Sequence, residues 1–328
     1  MTNIQFLQKK LTRISRQTGI SLKKIKDCLL ILSSGKPVLN NELLRRVGIA
    51  RKPLNQIKKS LSFLLIPSSS QTQVRSDYLV MLQSLFEADY FPEENVWSFL
   101  KNQDYSRIVK LFNQYQNQQP ASRRELDQFT ATPETVARRA CLLDFFEDIA
   151  DKKILVLGDD DFTSVALASF GSALEVVVLE IDSRIIKGVS FVTLKENLEI
   201  KAQIYDARQP LPESCRNHFD IVLTDPPYTP AGIKLFLSRA IQALDPKNQA
   251  ARIYLCFGAS DRAKERVLPI YQILIESGLM TRWIFDKFNR YRGAESIGST
   301  SFLIVAEVTP KTKPLIKGEF NGSIYTTN

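Results

Sequence analysis

Two patterns of hydrophobic and polar residues divide the chain near residue 131. Before this point, apolar residues recur every three to four positions; the segment 20–34 places four aliphatic side chains on one helical face. After it, short apolar runs such as KKILVLG (152–158) alternate with helical stretches. Continuous apolar strands are usually covered on both faces, so the second part predicts a mainly parallel, doubly wound sheet.

The first part of the chain predicts a small helical domain. The helix in 20–34 is followed by a tight turn, a short helix that ends at Gly48, a third helix in 50–66 and an extended segment. This order is the outline of a winged helix-turn-helix. We therefore predict a basic winged-helix-like domain over 1–75 and a helical connector over 76–130, with helices at 78–85 and 96–112.

On the third helix, the apolar and polar positions fall on opposite sides. Leu54, Ile57 and Leu61 are predicted to face inward. The predicted outward face carries Lys52, Asn55, Gln56 and Lys59.

The second part of the chain contains seven strand-like runs. The first five, which alternate with helices, lie at 152–158, 175–182, 199–206, 219–225 and 251–258. Two more, TRWIFDKFN and SFLIVAEV, follow without room for a long helix between them, which predicts a closing antiparallel hairpin. The predicted fold class is α/β: a Rossmann-like seven-stranded sheet of the S-adenosylmethionine-dependent transferase type over 131–328, preceded by the winged helix-turn-helix domain.

Charge is distributed unevenly along the chain. Residues 1–66 hold 14 Lys and Arg against only Asp27 and Glu42, whereas the remaining residues hold 30 Lys and Arg against 33 Asp and Glu. A basic domain thus precedes a slightly acidic one, and the two need not share a ligand.

Composition excludes several kinds of chemistry. The chain has one histidine, His218, and four scattered cysteines without a CxxC pair, so we expect no metal site, zinc cluster or disulfide framework. No apolar run reaches the roughly 18–20 residues of a membrane span, and the polar, basic start does not resemble a signal peptide. We therefore expect a cytoplasmic protein without a membrane partner.

A carboxylate follows each of the first four strands of the predicted sheet. The segments are GDDDFTS (158–164), EID (180–182), YDAR (205–208) and DPPY (225–228). Ligands of such sheets bind at the carboxyl ends of the strands. The chain has no GxGxxG or GxxxxGK[ST] motif, and phosphates prefer backbone amides to carboxylates, which disfavours NAD, FAD and ATP. An adenosyl sulfonium without phosphates fits better.

The strand ends also suggest which residues contact the adenosyl group. Gly158 is the single glycine of the first loop, and Glu180 lies where a Rossmann-like sheet places the carboxylate that binds ribose hydroxyls. Asp182 is the second candidate for that contact. Asp206 is placed for the exocyclic amine of adenine.

The first loop carries three consecutive aspartates, Asp159, Asp160 and Asp161. In methyltransferases this loop is glycine-rich, so that the backbone can approach the amino-acid end of the cofactor. Three carboxylates would repel the α-carboxylate of S-adenosylmethionine but attract a cofactor that bears only an ammonium, such as decarboxylated S-adenosylmethionine. One or two of the aspartates, Asp161 first, are alternatively caps of the next helix, which leaves Asp159 for chemistry.

The fourth strand ends in Asp225, Pro226, Pro227 and Tyr228. Amino-group methyltransferases use this loop: the acidic residue and a neighbouring carbonyl accept from the target amine, and the aromatic ring packs on it. The prolines hold these acceptors in place at low entropic cost. A plain strand-ending turn is the structural alternative.

Taken together, these segments resemble the branched-chain polyamine synthase family, whose type is N4-bis(aminopropyl)spermidine synthase. The segments that carry the resemblance are GDDDFTS, EIDSR (180–184), YDARQPLP (205–212), the run 219–244 and GAESIGSTSFLIV (293–305). The resemblance covers about 131–309 and implies a winged-helix-like domain before a Rossmann-like catalytic domain. The chain departs from the family's acidic C-terminal tail with the mildly basic TPKTKPLIKGEF.

The resemblance implies aminopropyl transfer from decarboxylated S-adenosylmethionine to a secondary amine of spermidine or a related polyamine. Methylthioadenosine is released, and a second transfer to the same nitrogen gives a quaternary product. The match further implies that the aspartates of GDDD and Asp225 of DPP are the polyamine-side residues.

The predicted reaction requires a neutral amine. An amine of pKa near 10 costs about 4–5 kcal/mol to deprotonate at pH 7. Carboxylates favour the charged form, so we expect them to hold the terminal ammonium groups. The central amine then lies against a less polar wall such as Tyr228 or Phe162, and Asp159 or Asp225 takes its proton.

Two other functional classes stay open at this point. One is a DPPY-type amine N-methyltransferase acting on nucleic acid held by the basic domain; the acidic first loop weighs against it. The other is a DNA-binding regulator whose sheet senses a polyamine or an adenosyl ligand. We favour the aminopropyltransferase, with a spermidine-like substrate as partner, a homodimer as assembly and nucleic acid not favoured.

Overall fold

The computed structural model describes residues 3–86, 90–258, 264–294 and 299–326. The chain forms two compact units. The first comprises Met1–Asn102 with Phe145–Glu147 and Lys247–Ala250, and the second comprises Gln103–Asp144, Asp148–Pro246 and Ala251–Asn328. Each unit has its own hydrophobic core. Within the described residues, no helix combines the length and the apolar character that crossing a bilayer requires.

The first unit is mainly helical. Its helices are α1 (Asn3–Thr18), α2 (Leu22–Leu32), α3 (Asn40–Val47), α4 (Arg51–Ser60) and α5 (Ser76–Gln83), followed by a 3-10 helix (Glu93–Lys101). Two short strands, β1 (Val38–Leu39) and β2 (Gln71–Thr72), pair antiparallel. Helices α2, α3 and α4 were predicted from the sequence, and α5 overlaps the helix predicted at 78–85, whereas α1 was not predicted.

The turn between α3 and α4 depends on a left-handed glycine. Gly48 ends α3 at φ +67, a conformation that glycine adopts at little cost, and α4 begins three residues later. The predicted faces of α4 are confirmed: its inward residues are buried and its polar residues exposed. The turn therefore brings a basic helical face to the surface of this unit.

Part of the connector prediction is wrong. The helix predicted over 96–112 is two helices, because Asn102 adopts an extended conformation between the 3-10 helix and α6 (Asp104–Gln114). No Gly or Pro marks this break in the sequence. Two further 3-10 helices, Gln116–Gln118 and Arg124–Leu126, lead to the sheet.

The second unit contains the predicted sheet, which has seven strands in the described residues. They are β3 (Lys153–Leu157), β4 (Glu175–Glu180), β5 (Lys201–Ile204), β6 (Ile221–Thr224), β7 (Arg252–Phe257), β8 (Met280–Arg290) and β9 (Thr300–Glu307). Their order is β5-β4-β3-β6-β7-β9-β8, with the first five parallel and β9 antiparallel to β7 and β8. The prediction of a mainly parallel α/β sheet with a closing hairpin is confirmed.

Helix α7 (Pro133–Phe145) precedes the sheet. The helices between its strands are α8 (Thr163–Ala168), α9 (Ser183–Lys195), α10 (Pro230–Ala243) and α11 (Leu268–Glu276). Strand β3 lies between β4 and β6. The chain runs from β3 outward through β4 to β5 and then returns to β6, on the other side of β3. A crevice forms at the carboxyl ends of the strands at such a point.

The strand register places the predicted site residues at one level. Leu157, at the end of β3, is paired with Leu179 of β4 on one side and with Thr224 of β6 on the other. Gly158, Glu180 and Asp225 follow these positions by one residue each. Three segments that are distant in sequence thus meet at one edge of the sheet.

Candidate active site

A cavity lies at the carboxyl ends of β3, β4 and β6. Four carboxylates line the cavity: Asp127, Asp160, Glu180 and Asp225. Its described lining includes no Lys, Arg or His, and the remaining surface is largely apolar. This lining suits a cationic ligand with an apolar part.

The single histidine lies at the other end of the sheet. His218 Nε2 is 2.6 Å from Glu175 Oε2, and Glu175 is the first residue of β4, whereas Glu180 is the last. A wider surface depression also lies there, beside the starts of β4 and β5. Ligands of parallel sheets bind at the opposite, carboxyl ends of the strands, so we place the site in the smaller cavity.

Gly158 forms part of the cavity wall. Its φ is +76, and a Cβ added there would lie 3.6 Å from the Phe236 ring and 4.0 Å from Glu180 Oε2. The positive φ would strain any other residue, and a side chain would fill the space beside Glu180. The glycine therefore keeps this part of the cavity open.

Glu180 is fixed by two backbone amides. The N–H of Asp159 donates to Oε2 at 2.9 Å and that of Asp182 donates to Oε1 at 2.8 Å. Burial raises the pKa of Glu180. The carboxylate lines the cavity with its orientation set by the two neighbouring loops.

Asp182 has a structural role at the start of α9. It caps this helix, accepting from the backbone N–H of Arg184 at 3.0 Å and from its guanidinium at 2.6 Å. Although burial acts in the opposite direction, the hydrogen bonds from Arg184 lower the pKa of Asp182 to about 2. This geometry does not favour the predicted cofactor contact of Asp182, because both oxygens are engaged and the described cavity lining does not include it.

Asp206 lies beside the cavity. Its oxygens accept from the backbone N–H of Arg208 at 2.9 Å and from the guanidinium at 2.6 Å. Its neighbours Tyr205 and Ala207 line the cavity, whereas Asp206 is not among the described lining residues. The contact between Asp206 and adenine stays a prediction.

Asp159 is bound to the start of α8. The backbone N–H of Ser164 donates to Oδ1 at 3.2 Å, and the Ser164 hydroxyl donates to Oδ2. The side chain is 1% exposed, and burial raises the pKa of Asp159 to about 8. Asp159 thus performs the helix-capping role predicted for Asp161. This geometry does not favour the predicted role of Asp159 as catalytic base, because both oxygens are used within the loop.

Asp161 and Asp160 point to different surroundings. Asp161 accepts from Arg139 Nη1 at 2.8 Å and from the backbone N–H of Ala131; burial, against the opposing effect of Arg139, raises its pKa to about 6. Asp160 lines the cavity. Removal from solvent, with the nearby charges of Asp161 and Asp225, raises the pKa of Asp160. Of the three aspartates, Asp160 is the one within reach of a ligand in the cavity.

Within the described part of the chain, Asp225 receives three hydrogen bonds from side chains. Tyr228 donates its hydroxyl to Oδ1 at 2.8 Å. Oδ2 accepts from Arg139 Nη2 at 2.7 Å and from the Tyr291 hydroxyl at 2.6 Å. The carboxylate therefore has one defined orientation at the edge of the cavity.

The two prolines after Asp225 are both buried, and Pro227 lines the cavity. The carbonyl of Pro227 accepts from the backbone N–H of Thr229 at 2.8 Å. This hydrogen bond closes the turn that leads into α10. The loop predicted to present acceptors to an amine is thus at the cavity, with Pro226 beneath its surface.

Tyr228 packs in space left by a glycine. A Cβ at Gly258 would lie 2.5 Å from the Tyr228 ring, and the centroid of the Phe257 ring is 5.3 Å from that of Tyr228. Burial, reinforced by Asp225, raises the pKa of Tyr228, so its hydroxyl is a hydrogen-bond donor at neutral pH. Tyr228 is therefore held as a partner of Asp225.

Phe162 does not form the predicted wall for the amine. It adopts φ +59, and its ring packs over Gly188 of α9, where an added Cβ would lie 2.4 Å from the ring. The apolar wall of the cavity instead includes Leu157, Leu179 and Phe236. The prediction of Phe162 as a wall residue is wrong because the turn before α8 directs its ring toward α9.

Four residues of the site were not predicted from the sequence. Arg139 and Tyr291 contact Asp225, and Asp127 and Tyr325 line the cavity. One signal was available for Arg139: it interrupts the apolar stretch of a helix and is 1% exposed in the structure. The other three lie in irregular segments or at a strand end, where no periodic pattern marks them.

Side chains hold the C-terminal segment over the cavity by hydrogen bonds to its backbone. The hydroxyl of Thr229 donates to the carbonyl of Ile324 at 2.7 Å, and the N–H of Thr326 donates to Asp127 Oδ2 at 2.8 Å. Tyr325, between these two anchors, is 9% exposed. The segment thus forms one wall of the site.

Comparisons with known proteins indicate the family of this chain. A family model described as the branched-chain polyamine synthase A C-terminal domain matches residues 107–321. The chain is 40% identical over 178 residues to an uncharacterized protein of Methanocaldococcus jannaschii, a match that covers 54% of this chain and 44% of that protein. It is 32% identical over 185 residues to an N(4)-bis(aminopropyl)spermidine synthase of Thermus thermophilus, covering 56% and 53%. The matches thus span about half the length of these curated relatives.

A solved structure shares the fold. The branched-chain polyamine synthase of Thermus thermophilus, crystallised with N4-aminopropylspermidine and 5'-methylthioadenosine, aligns with a TM-score of 0.61 and 23% identity over 97% of each chain. The family model spans all seven described strands of the sheet and every cavity residue named above except Tyr325. The chain therefore belongs to the family of the branched-chain polyamine synthase A C-terminal domain, as its sequence motifs predicted.

Proposed function

We propose that the chain is an aminopropyltransferase. It moves the aminopropyl group of decarboxylated S-adenosylmethionine to a secondary amine of spermidine or a related polyamine, and releases methylthioadenosine and a branched polyamine. The observation that carries the proposal is the cavity at the strand ends, lined by four carboxylates and, in its described lining, by no Lys, Arg or His. The related synthase of Thermus thermophilus supports the choice of substrates.

The charge of the cavity distinguishes between the two sulfonium donors. S-adenosylmethionine carries an α-carboxylate, which Asp160 and Asp225 would repel at close range. The decarboxylated donor presents only an ammonium at the same position. We therefore assign its aminopropyl end to the side of Asp160 and Asp225.

The nucleoside end of the donor fits the other side of the cavity. Glu180, with both oxygens oriented by backbone amides, is our acceptor for the ribose hydroxyls. Tyr205 and Ala207, at the end of β5, line the wall where the adenine would lie. Asp206 stays our candidate for the adenine amine, although it must share its carboxylate with Arg208.

We assign different roles to the two carboxylates at the polyamine side. Asp225, paired with a guanidinium, accepts a hydrogen bond from the substrate amine and orients it. Asp160 is the general base, because it is the one aspartate of the first loop that lines the cavity in the described residues. This assignment replaces Asp159, which is bound to Ser164.

The transfer is a displacement at the carbon attached to the sulfonium. The amine nitrogen forms a bond to that carbon while the carbon–sulfur bond breaks, and the bonding electron pair stays on the sulfur of methylthioadenosine. The proton lost by the nitrogen passes to Asp160. Because the leaving group is already activated, the protein contributes mainly alignment and a deprotonated nucleophile.

We propose that the first unit is a winged-helix-type scaffold and not a nucleic-acid-binding domain. The arrangement of α3, α4 and the β1-β2 pair supports the fold. Lys58 supports the scaffold role, since its Nζ donates to Asn40 Oδ1, Ser68 O and Gln71 O at 3.0–3.2 Å. The homodimer and the cytoplasmic location expected from the sequence stay predictions.

Incubation with each donor and several polyamines tests the proposal. We expect decarboxylated S-adenosylmethionine and spermidine to give a product heavier by one aminopropyl group, together with methylthioadenosine. Asp160→Asn is the control against a contaminating enzyme. A product heavier by one methyl group would support the methyltransferase, and binding of the ligands without any product would support the regulator.

A further inference from the structure

We propose that Arg139 is a positioning residue that, with Tyr291, occupies one oxygen of Asp225 and leaves the other oxygen for Tyr228 and the substrate amine. The inference rests on the proposed aminopropyl transfer and adds to it a residue outside the GDDD and DPPY motifs. Arg139 itself does not line the cavity in the described residues, so it acts through Asp225.

Arg139 connects four parts of the second unit. From α7, its Nε donates to Asn289 Oδ1 at 2.8 Å, its Nη1 to Asp161 Oδ2 at 2.8 Å, and its Nη2 to Asp225 Oδ2 at 2.7 Å. Nη2 is also 3.0 Å from the Tyr291 hydroxyl. A guanidinium is planar and its N–H groups have fixed directions. Arg139 thus sets the distance and the relative orientation of carboxylates from the first and fourth strand ends.

Among the described residues, the hydrogen bonds leave Asp225 one open acceptor position. A carboxylate oxygen accepts about two hydrogen bonds in its plane. Oδ2 already accepts from Arg139 and Tyr291, whereas Tyr228 is the one described residue that donates to Oδ1. Asp225 lines the cavity, so the second position on Oδ1 is available to an amine N–H there. Residues behind the cavity wall therefore determine the direction from which Asp225 can accept a hydrogen bond from the substrate amine.

Arg139 also balances the charge of this cluster. Burial and Asp225 both raise the pKa of Asp161, and Arg139 opposes them. Without the guanidinium, two buried carboxylates would face each other, and one would take up a proton at a higher pH. The other titratable groups that interact with Asp161 or Asp225 are Asp159, Asp160, Tyr228, Tyr291 and Cys256.

The variants Arg139→Lys and Tyr291→Phe test the inference. Lysine keeps the positive charge but loses the planar arrangement of donors, and phenylalanine removes one bond to Oδ2 without changing charge. Arg138→Lys is the matched control, because Arg138 lies on the same helix and donates to the carbonyl of Phe288. Thermal unfolding of all three variants establishes that they are folded.

We expect Arg139→Lys to lower kcat/KM for spermidine by about 100-fold, the scale of a misplaced catalytic group, with the KM of the donor unchanged. The acid limb of its pH profile should move to higher pH, because one ammonium does not replace the planar set of hydrogen bonds that the guanidinium donates to Asp161 and Asp225, and these carboxylates then protonate earlier as the pH falls. Tyr291→Phe should change kcat/KM in the same direction by a smaller factor. A purely structural role would not move the pH profile.

Calorimetric titration with spermidine gives a readout that does not need turnover. Below neutral pH, we expect Arg139→Lys and Tyr291→Phe to bind spermidine more weakly than the wild type and Arg138→Lys do. If the wild type forms no aminopropylated product, the proposed function fails, and this titration still decides on the positioning role. The inference is overturned if both variants match Arg138→Lys in spermidine binding and in pH profile. It is also overturned if Arg139→Lys does not fold and Tyr291→Phe behaves as the wild type.

Discussion

Asp159 and Ser164 are joined by two hydrogen bonds, one to each oxygen of the carboxylate. The backbone N–H of Ser164 donates to Oδ1 at 3.2 Å and its hydroxyl donates to Oδ2. The backbone N–H of Asp159 meanwhile donates to Glu180. Asp159 therefore ties the first loop to α8 and to β4, and leaves the contact with a ligand to its neighbour Asp160.

The first prediction concerns the division of roles between these two aspartates. Asp160→Asn should lower aminopropyl transfer by at least about 100-fold, the usual effect of removing a general base, and leave the melting temperature unchanged. Asp151→Asn is the matched control, because Asp151 is exposed and asparagine tolerates its φ of +58. Transfer by Asp160→Asn at the rate of this control would show that Asp160 is not the base.

Asp159 should affect stability in a pH-dependent manner. Its folded-state pKa, about 8, lies above the ordinary value of 3.8 because the group is buried. The folded state thus holds a proton that the unfolded state has released, and the stability contributed by this proton is lost as the pH rises toward about 8. Asp159→Asn removes this dependence.

Chemical denaturation between pH 5 and pH 9 measures this effect. We expect the free energy of unfolding of the wild type to fall with rising pH relative to that of Asp159→Asn. Parallel pH dependences of the two proteins would contradict the assignment of Asp159 as a buried, proton-holding residue.

Glu180 and Asp182 should differ in what their loss changes. Glu180→Gln should weaken methylthioadenosine binding about 10-fold or more, the scale of a hydrogen bond to a charged group, with spermidine binding less affected. Asp182→Asn should lower stability through its cap on α9 and leave methylthioadenosine binding intact. Calorimetry with both ligands separates these outcomes, and equal losses for both ligands in Glu180→Gln would refute the assigned donor side.

The lysines of α4 provide a test of the first unit. Lys52 and Lys59 are exposed, so replacing both by Gln should leave transfer and the melting temperature unchanged. Lys58→Gln should lower the melting temperature, because the Lys58 ammonium holds Asn40 and two backbone carbonyls. If the unit reads DNA instead, its affinity should fall steeply with salt, with a logarithmic slope near −0.9 per phosphate contacted. Tight, sequence-specific DNA binding would overturn the scaffold proposal.

Much of the fold and part of the site could be predicted from the sequence. The strands could be located because each is a short apolar run, and strand-end residues such as Glu180 and Asp225 follow directly from them. The roles within the first loop could not be predicted, because they depend on two left-handed residues: Gly158 at φ +76 and Phe162 at φ +59. These turns direct Asp159 toward α8 and Asp160 toward the cavity.

Contacts between distant segments could also not be predicted from local sequence patterns. Arg139 and Asp225 are 86 residues apart, and Asp127 and Thr326 are 199 apart. A charged residue within a buried helix indicates that a partner exists but not which residue it is. The three-dimensional arrangement of the sheet is needed to identify these pairs.

The central claim is that a carboxylate-lined cavity selects the decarboxylated donor for transfer to an amine. One competition experiment tests it most directly: spermidine is incubated with equal concentrations of decarboxylated S-adenosylmethionine and S-adenosylmethionine, and the products are resolved by mass spectrometry. We predict that every modified polyamine carries aminopropyl groups and that fragmentation places them on the central nitrogen. One molecule of methylthioadenosine should accumulate for each aminopropyl group transferred. Methylated spermidine, or no modified polyamine at all, would contradict the account.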